Sequence, residues 1–509
     1  MTAYGKIRAM KSVGYQFLVE RFQLRVCGLL LKSYLFNESR TRTTLVDGIE
    51  NRYYPVRRVI VDDSWQQNLI FAFKNEGVNL EVLKALFAQI AQNEIFEFVS
   101  SVPTGAYHRR IWFLYEFLTG NRLDIPDVSI GNYVYAIDGE LQLALPSENA
   151  KRERRYRVFN NLVGTREFCP YVRWTDAIRS LDAAGLKGMS EELLRSYSAD
   201  VVYRAVQYLY VKETRSSFAI ERETPDQRRT AAFVSLLKGV SRGKITKEAL
   251  FDAQNRIVDE RYAQREWRTS QVYVGETITP TYEKVHFVAV KPKDVAMFMD
   301  GFLETLDKVL SANGMDAVVL AAVMSFAFVF IHPFDDGNGR LHRYLMHYVL
   351  SRAGFSPEGM IFPVSAVLLK EQARYDRMLE SFSSRLMEVL DYEMDTRGEV
   401  TVKGESADFY RFIDFTPIIE DYQKIIEETI STEWKTEIEY LVCYDRVRAE
   451  MRTVVDMPDK KANQFILFAN QDGGALSSGK RQKFFPELSD EEVSKLEAIV
   501  SEGMKLGGG

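Results

Sequence analysis

The stretch that decides the fold runs from Ala317 to Arg343 and reads AVVLAAVMSFAFVFIHPFDDGNGRLHR. Its first 15 residues, 317–331, are apolar except for one serine. That length falls short of the ~20 residues that a helix needs to cross a bilayer, so the pattern predicts a helix buried on every side. Pro333 cannot continue a helix, and it therefore places His332 at the helix end.

The loop after this helix has the composition of an anion site. Gly337 and Gly339 permit positive φ angles, which let consecutive backbone N–H groups point into one concavity at the positive end of the next helix. Arg340 and Arg343 lie three residues apart on that helix and share a face, so their guanidinium groups can bind neighbouring phosphates. Together these residues predict a cradle for a polyphosphate.

Two further residues of the loop suit phosphate chemistry. His332, held at the rim of a rigid helix, can take the proton from an attacking hydroxyl. Asp336 suits Mg²⁺, which takes one or two carboxylates together with phosphate oxygens. Phe334 would anchor the loop by burying its ring. The combination predicts phosphoryl or nucleotidyl transfer.

The segment resembles the signature of the Fic (filamentation induced by cAMP) family, H-x-F-x-[DE]-G-N-G-R-x-x-R, and every defined position matches. The resemblance implies a compact α-helical bundle that transfers AMP from ATP to a protein side-chain hydroxyl. It implies a role for each matched residue: His332 as general base, Asp336 as Mg²⁺ ligand, Gly337 to Gly339 as phosphate nest, Asn338 on the α-phosphate, and Arg340 and Arg343 on the outer phosphates. Relatives that phosphorylate carry lysine in place of Gly339, so this chain is similar to the AMP transferases.

A second family element lies upstream. Ser217-Phe218-Ala219-Ile220-Glu221 resembles the inhibitory helix motif [ST]-x-x-x-E-[GN]. The resemblance implies that Glu221 pairs with Arg343 and occupies the space of the γ-phosphate, so that the enzyme is inhibited by default. Arg222 departs from the motif, which has Gly or Asn there. In some relatives the same glutamate positions a water for removal of AMP, so that activity stays open.

In residues 271–290 the spacing of the apolar residues changes from a helical pattern to a strand pattern. Two β-branched and aromatic segments flank a turn that contains Thr279 and Pro280, which predicts a short hairpin. The hairpin occupies the place of the family flap, which adds the target segment as an extra strand. The predicted docking edge is the second strand, with the candidate residues Val285, His286, Phe287 and Val288.

The predicted fold class is mostly α, with a Fic-type helical core and a β-hairpin flap. The 509 residues suggest about three domains. We expect an N-terminal domain over 1–195 that is mixed and then helical, a Fic domain over 196–390 with the inhibitory helix near 200–222, and a C-terminal module over 391–509 that is helical or winged-helix-like.

The composition narrows the partners and the compartment. Sixty-six basic and 71 acidic residues give a net charge of −5, which disfavours bulk nucleic-acid binding. DNA contact is left open only in the C-terminal module, where Lys480, Arg481 and Lys483 cluster. The three cysteines form no CxxC pair and Met1–Gly14 holds no apolar leader, so a cytoplasmic protein without a membrane anchor is expected.

The sequence thus predicts an autoinhibited AMP transferase that uses MgATP on a Ser, Thr or Tyr hydroxyl of a target protein or of itself. A homodimer is left open. Two alternatives remain within catalysis: removal of AMP, and transfer of another nucleotide or of phosphocholine. A third alternative is a non-catalytic regulator that senses nucleotide and binds DNA.

Overall fold

The apolar run folds as one helix, Ala317–Ile331, in a computed structural model of the chain, and 14 of its 15 side chains are buried. Asp316 caps it by accepting hydrogen bonds from the N–H groups of Val318 and Val319, both at 2.9 Å. The helix ends where Pro333 follows, because proline disfavours helical backbone in the residue before it. His332 accordingly adopts the left-handed conformation, with φ 55°.

The structure describes residues 10–37, 39–57, 59, 61–279 and 282–505. Its strands are β1 Lys11–Val13, β2 Leu31–Phe36, β3 Arg42–Val46, β4 Ile49–Pro55, β5 Val134–Tyr135, β6 Lys151–Glu153, β7 Val158–Asn160, β8 Tyr273–Thr279, β9 Tyr282–Val288, β10 Tyr392–Met394 and β11 Val400–Val402. Its helices are α1 Tyr15–Phe22, α2 Trp65–Asn75, α3 Leu80–Gln89, α4 Gln92–Ser101, α5 Ala106–Thr119, α6 Asp176–Ser180, α7 Ala183–Arg195, α8 Ala199–Ile220, α9 Gln227–Lys238, α10 Lys247–Ile257, α11 Pro292–Leu310, α12 Ala317–Ile331, α13 Asn338–Arg352, α14 Val364–Lys370, α15 Gln372–Val389, α16 Ala407–Arg411, α17 Thr416–Glu428, α18 Lys435–Val454, α19 Asp459–Gln471, α20 Ser478–Phe484 and α21 Asp490–Lys505. The protein is mostly α-helical with small sheets, which confirms the predicted fold class.

The chain divides into two compact units. The first unit comprises Met1–Ala183, Gln227–Phe355 and Glu371–Lys424. It contains a four-stranded sheet in the order β1-β2-β4-β3, in which β2 and β4 run parallel with Leu31 opposite Glu50. It also contains a three-stranded sheet in the order β5-β7-β6 and the two hairpins β8–β9 and β10–β11.

Helices α12 and α13 lie side by side in the first unit. Phe330, near the end of α12, has its ring centroid 5.9 Å from that of Phe287 on β9 and 4.8 Å from that of Phe382 on α15. Aromatic rings at these distances pack favourably and bury a large apolar area. The β8–β9 hairpin and α15 are therefore fixed around the end of the helix that carries His332.

The second unit comprises Ala184–Asp226, Ser356–Lys370 and Ile425–Gly509. Within it, α8 packs against α14 and α18. The carboxylate of Glu213, fully buried on α8, accepts a hydrogen bond of 2.9 Å from the N–H of Ser365. Glu433 pairs with Lys212 of α8 at 2.7 Å and also with Lys370. These buried contacts make α8 an integral part of the second unit.

Helices α14 and α15 are separated at Glu371 and belong to different units. From 403 to 505, within the described residues, the chain forms helices and no strand. Strands β10 and β11 pair at 392–402, inside the predicted module 391–509, and the winged-helix-like alternative stays a prediction. The three predicted domains stay a prediction. None of the helices in the described ranges has the length and apolar character of a membrane span.

Candidate active site

His332 closes the end of α12. Its backbone N–H donates to the carbonyl of Phe328 at 2.9 Å, and its Nδ1 lies 3.1 Å from the carbonyl of Val329. Because a carbonyl oxygen can only accept, Nδ1 carries the proton and Nε2 keeps a free lone pair. The side chain is thus oriented by its own helix with Nε2 as the proton acceptor.

Burial, followed by the positive charge of Arg268, lowers the pKa of His332 to about 4. Desolvation penalises the imidazolium, and a nearby guanidinium penalises it further. The imidazole is therefore neutral at pH 7, which is the form that a general base requires.

Gly337 is the N-cap of α13 and has φ 89°, the positive value that the sequence predicted. A Cβ atom there would lie 2.9 Å from Cγ1 of Val258, so the site has no room for a side chain. Gly339 differs from the prediction, because it lies in the first turn of α13 and has helical backbone. The amides of this first turn have no acceptor within the helix and lie at the positive end of its dipole. The anion site is therefore a helix start preceded by one left-handed glycine.

Three side chains predicted to contact phosphates are buried in this structure. Asn338 exchanges two hydrogen bonds with the backbone of Phe334, 3.0 Å from its N–H and 2.7 Å to its carbonyl. Arg340 donates to the carbonyl of Ile257 at 3.1 Å and to Asp336 at 2.6 Å. Arg343 is 1% exposed. The amide of Asn338 thus shapes the loop, and the phosphate roles of all three stay predictions.

Asp336 is half-buried, with one carboxylate oxygen on Arg340. No cluster of three or more His, Cys, Asp or Glu side chains that could hold a metal occurs in the part of the chain that the structure describes. Mg²⁺ in nucleotide sites is bound by one or two carboxylates and completes its shell with phosphate oxygens and water. The second oxygen of Asp336 therefore fits an ion that arrives with a nucleotide.

The loop is held from outside by residues that sequence reasoning missed. The amide of Gln264 donates to Asp335 at 2.8 Å and accepts from the Asp335 N–H at 2.9 Å. Ser270 donates to the same carboxylate at 2.7 Å, and Gln254 donates to the carbonyl of Asp336 at 3.2 Å. These partners lie 65 to 82 residues away along the chain, so no local spacing indicates them.

Phe334 is the anchor that the sequence predicted. It is completely buried, with its ring centroid 5.2 Å from that of Phe251 and 5.3 Å from that of Trp267. These two rings belong to the segment that also supplies Gln254 and Gln264. The aromatic packing and the amide hydrogen bonds therefore fix the loop from the same side.

A cavity of about 380 Å³ opens beside His332. It is formed by the β8–β9 hairpin, the end of α12 and one face of α15, with the lining residues Val274, Glu276, His286, Phe287, Val329, Phe330, His332, Asp376, Leu379, Glu380 and Ser383. This volume lies in the range of small-molecule sites. The general-base candidate therefore borders a space that a substrate can enter.

The hairpin predicted at 271–290 is present, but its two strands differ in exposure. On β9, Phe287 is 7% and Val288 0% exposed, and the hydroxyl of Tyr410 donates to the Val288 carbonyl at 2.6 Å. Val285 and His286 are half-buried. The exposed apolar side chains, Val274 and Ile278, lie on β8. Phe287 and Val288 therefore anchor the hairpin, and target docking on β9 stays a prediction.

The inhibitory-motif residues end α8 in the second unit. Ser217 is buried and Glu221 is half-buried at the helix end. Arg222 takes the left-handed conformation with φ 58°, and its N–H donates to the carbonyl of Ala219 at 2.9 Å. Glycine and asparagine, the residues of the family motif, adopt this conformation at least cost. The helix thus ends in the left-handed conformation that suits the residues of the motif, although arginine adopts it at a higher cost.

Comparison with known proteins gives one family. Residues 244–350 match the Fic/DOC family. The chain is 40% identical over 92 residues to the protein adenylyltransferase Fic of Drosophila grimshawi, covering 18% of this chain and 17% of that protein. It is 41% identical over 92 residues to the protein of the same name from Drosophila mojavensis, covering 18% and 16%. The chain therefore spans less than a fifth of these relatives.

Solved structures of Fic proteins also resemble the chain. A Fic family protein from Desulfovibrio desulfuricans G20 has a TM-score of 0.37 and 17% identity, covering 64% of this chain and 85% of that one. A Fic domain containing signaling protein from Bacteroides thetaiotaomicron VPI-5482 has a TM-score of 0.38 and 16% identity, covering 51% and 96%. The segment 244–350 that matches the Fic/DOC family contains the complete signature at 332–343.

Proposed function

We propose that the protein transfers AMP from ATP to a hydroxyl of a target protein. The observation that carries the proposal is the neutral imidazole of His332, which borders the 380 Å³ cavity and lies six residues before Asn338, the first residue of α13. The Fic/DOC match and the relatives named protein adenylyltransferase support this reaction.

In the proposed reaction, Nε2 of His332 takes the proton of a Ser, Thr or Tyr hydroxyl. The hydroxyl oxygen forms a bond to the α-phosphorus, the bond from that phosphorus to the bridging oxygen breaks, and pyrophosphate leaves. The first turn of α13 and the guanidinium groups of Arg340 and Arg343 would face the developing charge. Asp336 would hold Mg²⁺, which neutralises phosphate charge when bound.

Inhibition by Glu221 is part of the proposal. A carboxylate paired with Arg343 would compete with the γ-phosphate for that guanidinium. The match of Ser217 and Glu221 to the inhibitory motif supports this role, and Glu221 lies directly after the last turn of α8. Transfer of AMP is thus expected to be slow until Glu221 is displaced.

The test is transfer of label to protein from a panel of α-³²P-labelled ATP, GTP, CTP and UTP and of labelled CDP-choline. We expect ATP to be the preferred donor and His332→Ala to lower labelling by about 10² to 10⁴, the usual contribution of a general base. Undiminished labelling by the variant would remove His332 from the mechanism. A preference for another donor would replace AMP transfer with transfer of that group.

His342 offers a matched control. Its Nδ1 also bonds a helix carbonyl, that of Ser325 at 2.7 Å, but the residue is completely buried and does not line the cavity. His342→Asn should fold, as judged by circular dichroism, and the folded variant should keep most of the labelling activity of the wild type. An equal loss in both variants would point to loss of structure instead of loss of a base.

A further inference from the structure

Arg268 lies beneath the loop that carries His332. Its side chain is 2% exposed, and its guanidinium donates to the carbonyls of His332 at 2.6 Å, Ser270 at 2.7 Å, Ile331 at 3.4 Å and Val290. Its backbone N–H donates to the carbonyl of Pro333 at 3.0 Å. One side chain therefore joins the end of α12 to the two segments that flank the β8–β9 hairpin.

The charge of Arg268 has no direct counter-ion. Among the described residues, every hydrogen-bond acceptor of its guanidinium is a carbonyl and no carboxylate forms an ion pair with it. Burial lowers the pKa of Arg268 to about 10, so the group stays charged at pH 7. A buried charge without an ionic partner is costly to fold, which makes a purely structural use of this residue expensive.

We propose that Arg268 is a positioning residue for His332: it holds the left-handed backbone of His332 through the carbonyl and keeps the imidazole in its proton-accepting form by repelling a second positive charge. The proposal rests on the proposed function, because it assigns His332 the role of base. A left-handed conformation is unfavourable for a residue with a Cβ atom and persists only where its surroundings hold it.

The planar fork of arginine is needed for the first part of this role. Nε, Nη1 and Nη2 each reach a different stretch of backbone: the end of α12, the segment before β8 and the segment after β9. The ammonium of lysine is a point donor and cannot span three acceptors in one plane. Lysine would therefore keep the charge but loosen the loop.

The second part depends on the charges around His332. Asp335 and Asp336 on the loop favour the imidazolium, and Arg268 opposes it. The cavity adds Glu276 and His286 from the hairpin and Asp376 and Glu380 from α15. Carboxylates on the loop, the hairpin and α15 therefore favour the imidazolium. The guanidinium of Arg268, which donates to the carbonyl of His332, opposes them.

The test separates the two parts with two variants of the full chain. In Arg268→Lys the loop is loosened, so we expect kcat to fall about tenfold or more, with the KM for ATP changed less than kcat. Because the charge stays, the acid limb of kcat/KM should keep its position. In Arg268→Gln the charge is gone, so the acid limb should also move upward by about one pH unit. Folded variants with unchanged kcat, or a limb that does not move in Arg268→Gln, would overturn the proposal.

Arg110 provides the control. It is also a buried arginine of the first unit, with Nε on the carbonyl of Ala136 at 3.0 Å, and it lies away from the His332 cavity. Arg110→Gln should lower thermal stability but leave the acid limb unchanged. A shift of the limb in Arg110→Gln equal to that in Arg268→Gln would show a general effect of destabilisation and would contradict the proposal.

An NMR titration of His332, which requires no turnover, tests the role of Arg268 independently of the proposed function. The imidazole proton signals of His332, assigned by their loss in His332→Asn, can be titrated by NMR. In the wild type we expect the imidazole to stay neutral to about pH 4, with titration at higher pH in Arg268→Gln. If the wild type transfers no AMP while this shift occurs, the proposed function fails and the positioning by Arg268 stands. An unshifted titration overturns the positioning.

Discussion

Two helices, α12 and α8, end at the segments that resemble the Fic signature and the inhibitory motif. Each is followed by a left-handed residue that is not glycine, His332 after α12 and Arg222 after α8. At His332 the carbonyl is bound by Arg268, which lies 64 residues earlier in the chain. At Arg222 the ending is closed by carbonyls of the same helix, those of Ala219 and Phe218. At the first end a distant arginine therefore adds to the hydrogen bonds within the helix, whereas at the second end the hydrogen bonds of the left-handed residue come from its own helix. Changes at the first end should therefore cost more.

The largest effect is expected from Gly337→Ala, five residues after His332 in the loop that Arg268, Gln264 and Gln254 hold. Alanine at a positive φ costs ~1–2 kcal/mol, and its Cβ would stand 2.9 Å from Val258 Cγ1, an overpacking that costs ~1–3 kcal/mol. A total of roughly 3 kcal/mol, expressed in the transition state, corresponds to about a 100-fold loss of kcat/KM for AMP transfer. Steady-state labelling kinetics measure this loss.

The matched control lies at the other end of the same helix. Gly354 has φ 75°, and a Cβ atom there would meet nothing within 4 Å. Gly354→Ala therefore has the backbone cost without the clash and should change kcat/KM little. Equal losses in the two variants would show that strain anywhere at α13, and not crowding at the anion site, controls the activity.

The next effect is expected at the end of α8. Glu221→Gly and Glu221→Gln should raise self-labelling by about tenfold, because a hydrogen bond to a charged partner contributes about 1.5–3 kcal/mol. Glu223, two residues further on, is also half-buried, so Glu223→Gln is the control and should leave labelling unchanged. Flat or lower labelling in both Glu221 variants would reject the inhibitory role.

The smallest effect sharpens the comparison at Arg222. Glycine removes the left-handed cost of ~1–2 kcal/mol but adds ~0.5–1 kcal/mol of chain entropy. Arg222→Gly should therefore stabilise the second unit by about 0.5 kcal/mol, which is roughly 1–2 °C in the melting temperature. Arg222→Ala, which keeps the left-handed cost, should give no gain, and a gain of equal size with alanine would exclude the backbone explanation.

The parts of the site that could be predicted from sequence are those written in one continuous segment. His332, Phe334 and Gly337 follow from the end of a buried helix, the need for an anchor and the need for a left-handed residue. The hairpin follows from its alternation. Each of these signals is local, because the residue and the conformation that it determines lie within a few positions of each other in the chain.

The contacts of the loop could not be predicted, because their partners are distant in sequence. Arg268, Gln264 and Gln254 act on the loop across 64 to 82 residues, and nothing in their own neighbourhood distinguishes them from surface residues. The burial of Arg340 has the same origin, since its acceptor is the carbonyl of Ile257. The interleaving of the two compact units also has no local signal. Residues 356–370 join the second unit while the segments on both sides join the first.

The contacts that hold α8 in the second unit limit how the proposed inhibition by Glu221 could be relieved. Lys212 and Glu213 are fixed by Glu433 and Ser365 about two turns before Glu221. Unwinding the helix beyond that point would leave buried charges unpaired, which is a large free-energy cost, whereas helix termini open at little cost. The carboxylate of Glu221 can therefore move by fraying of the last two turns of α8 while the preceding turns stay in place. Amide hydrogen exchange tests this, because fraying would speed exchange in residues 214–221 while protection of Lys212 and Glu213 persists.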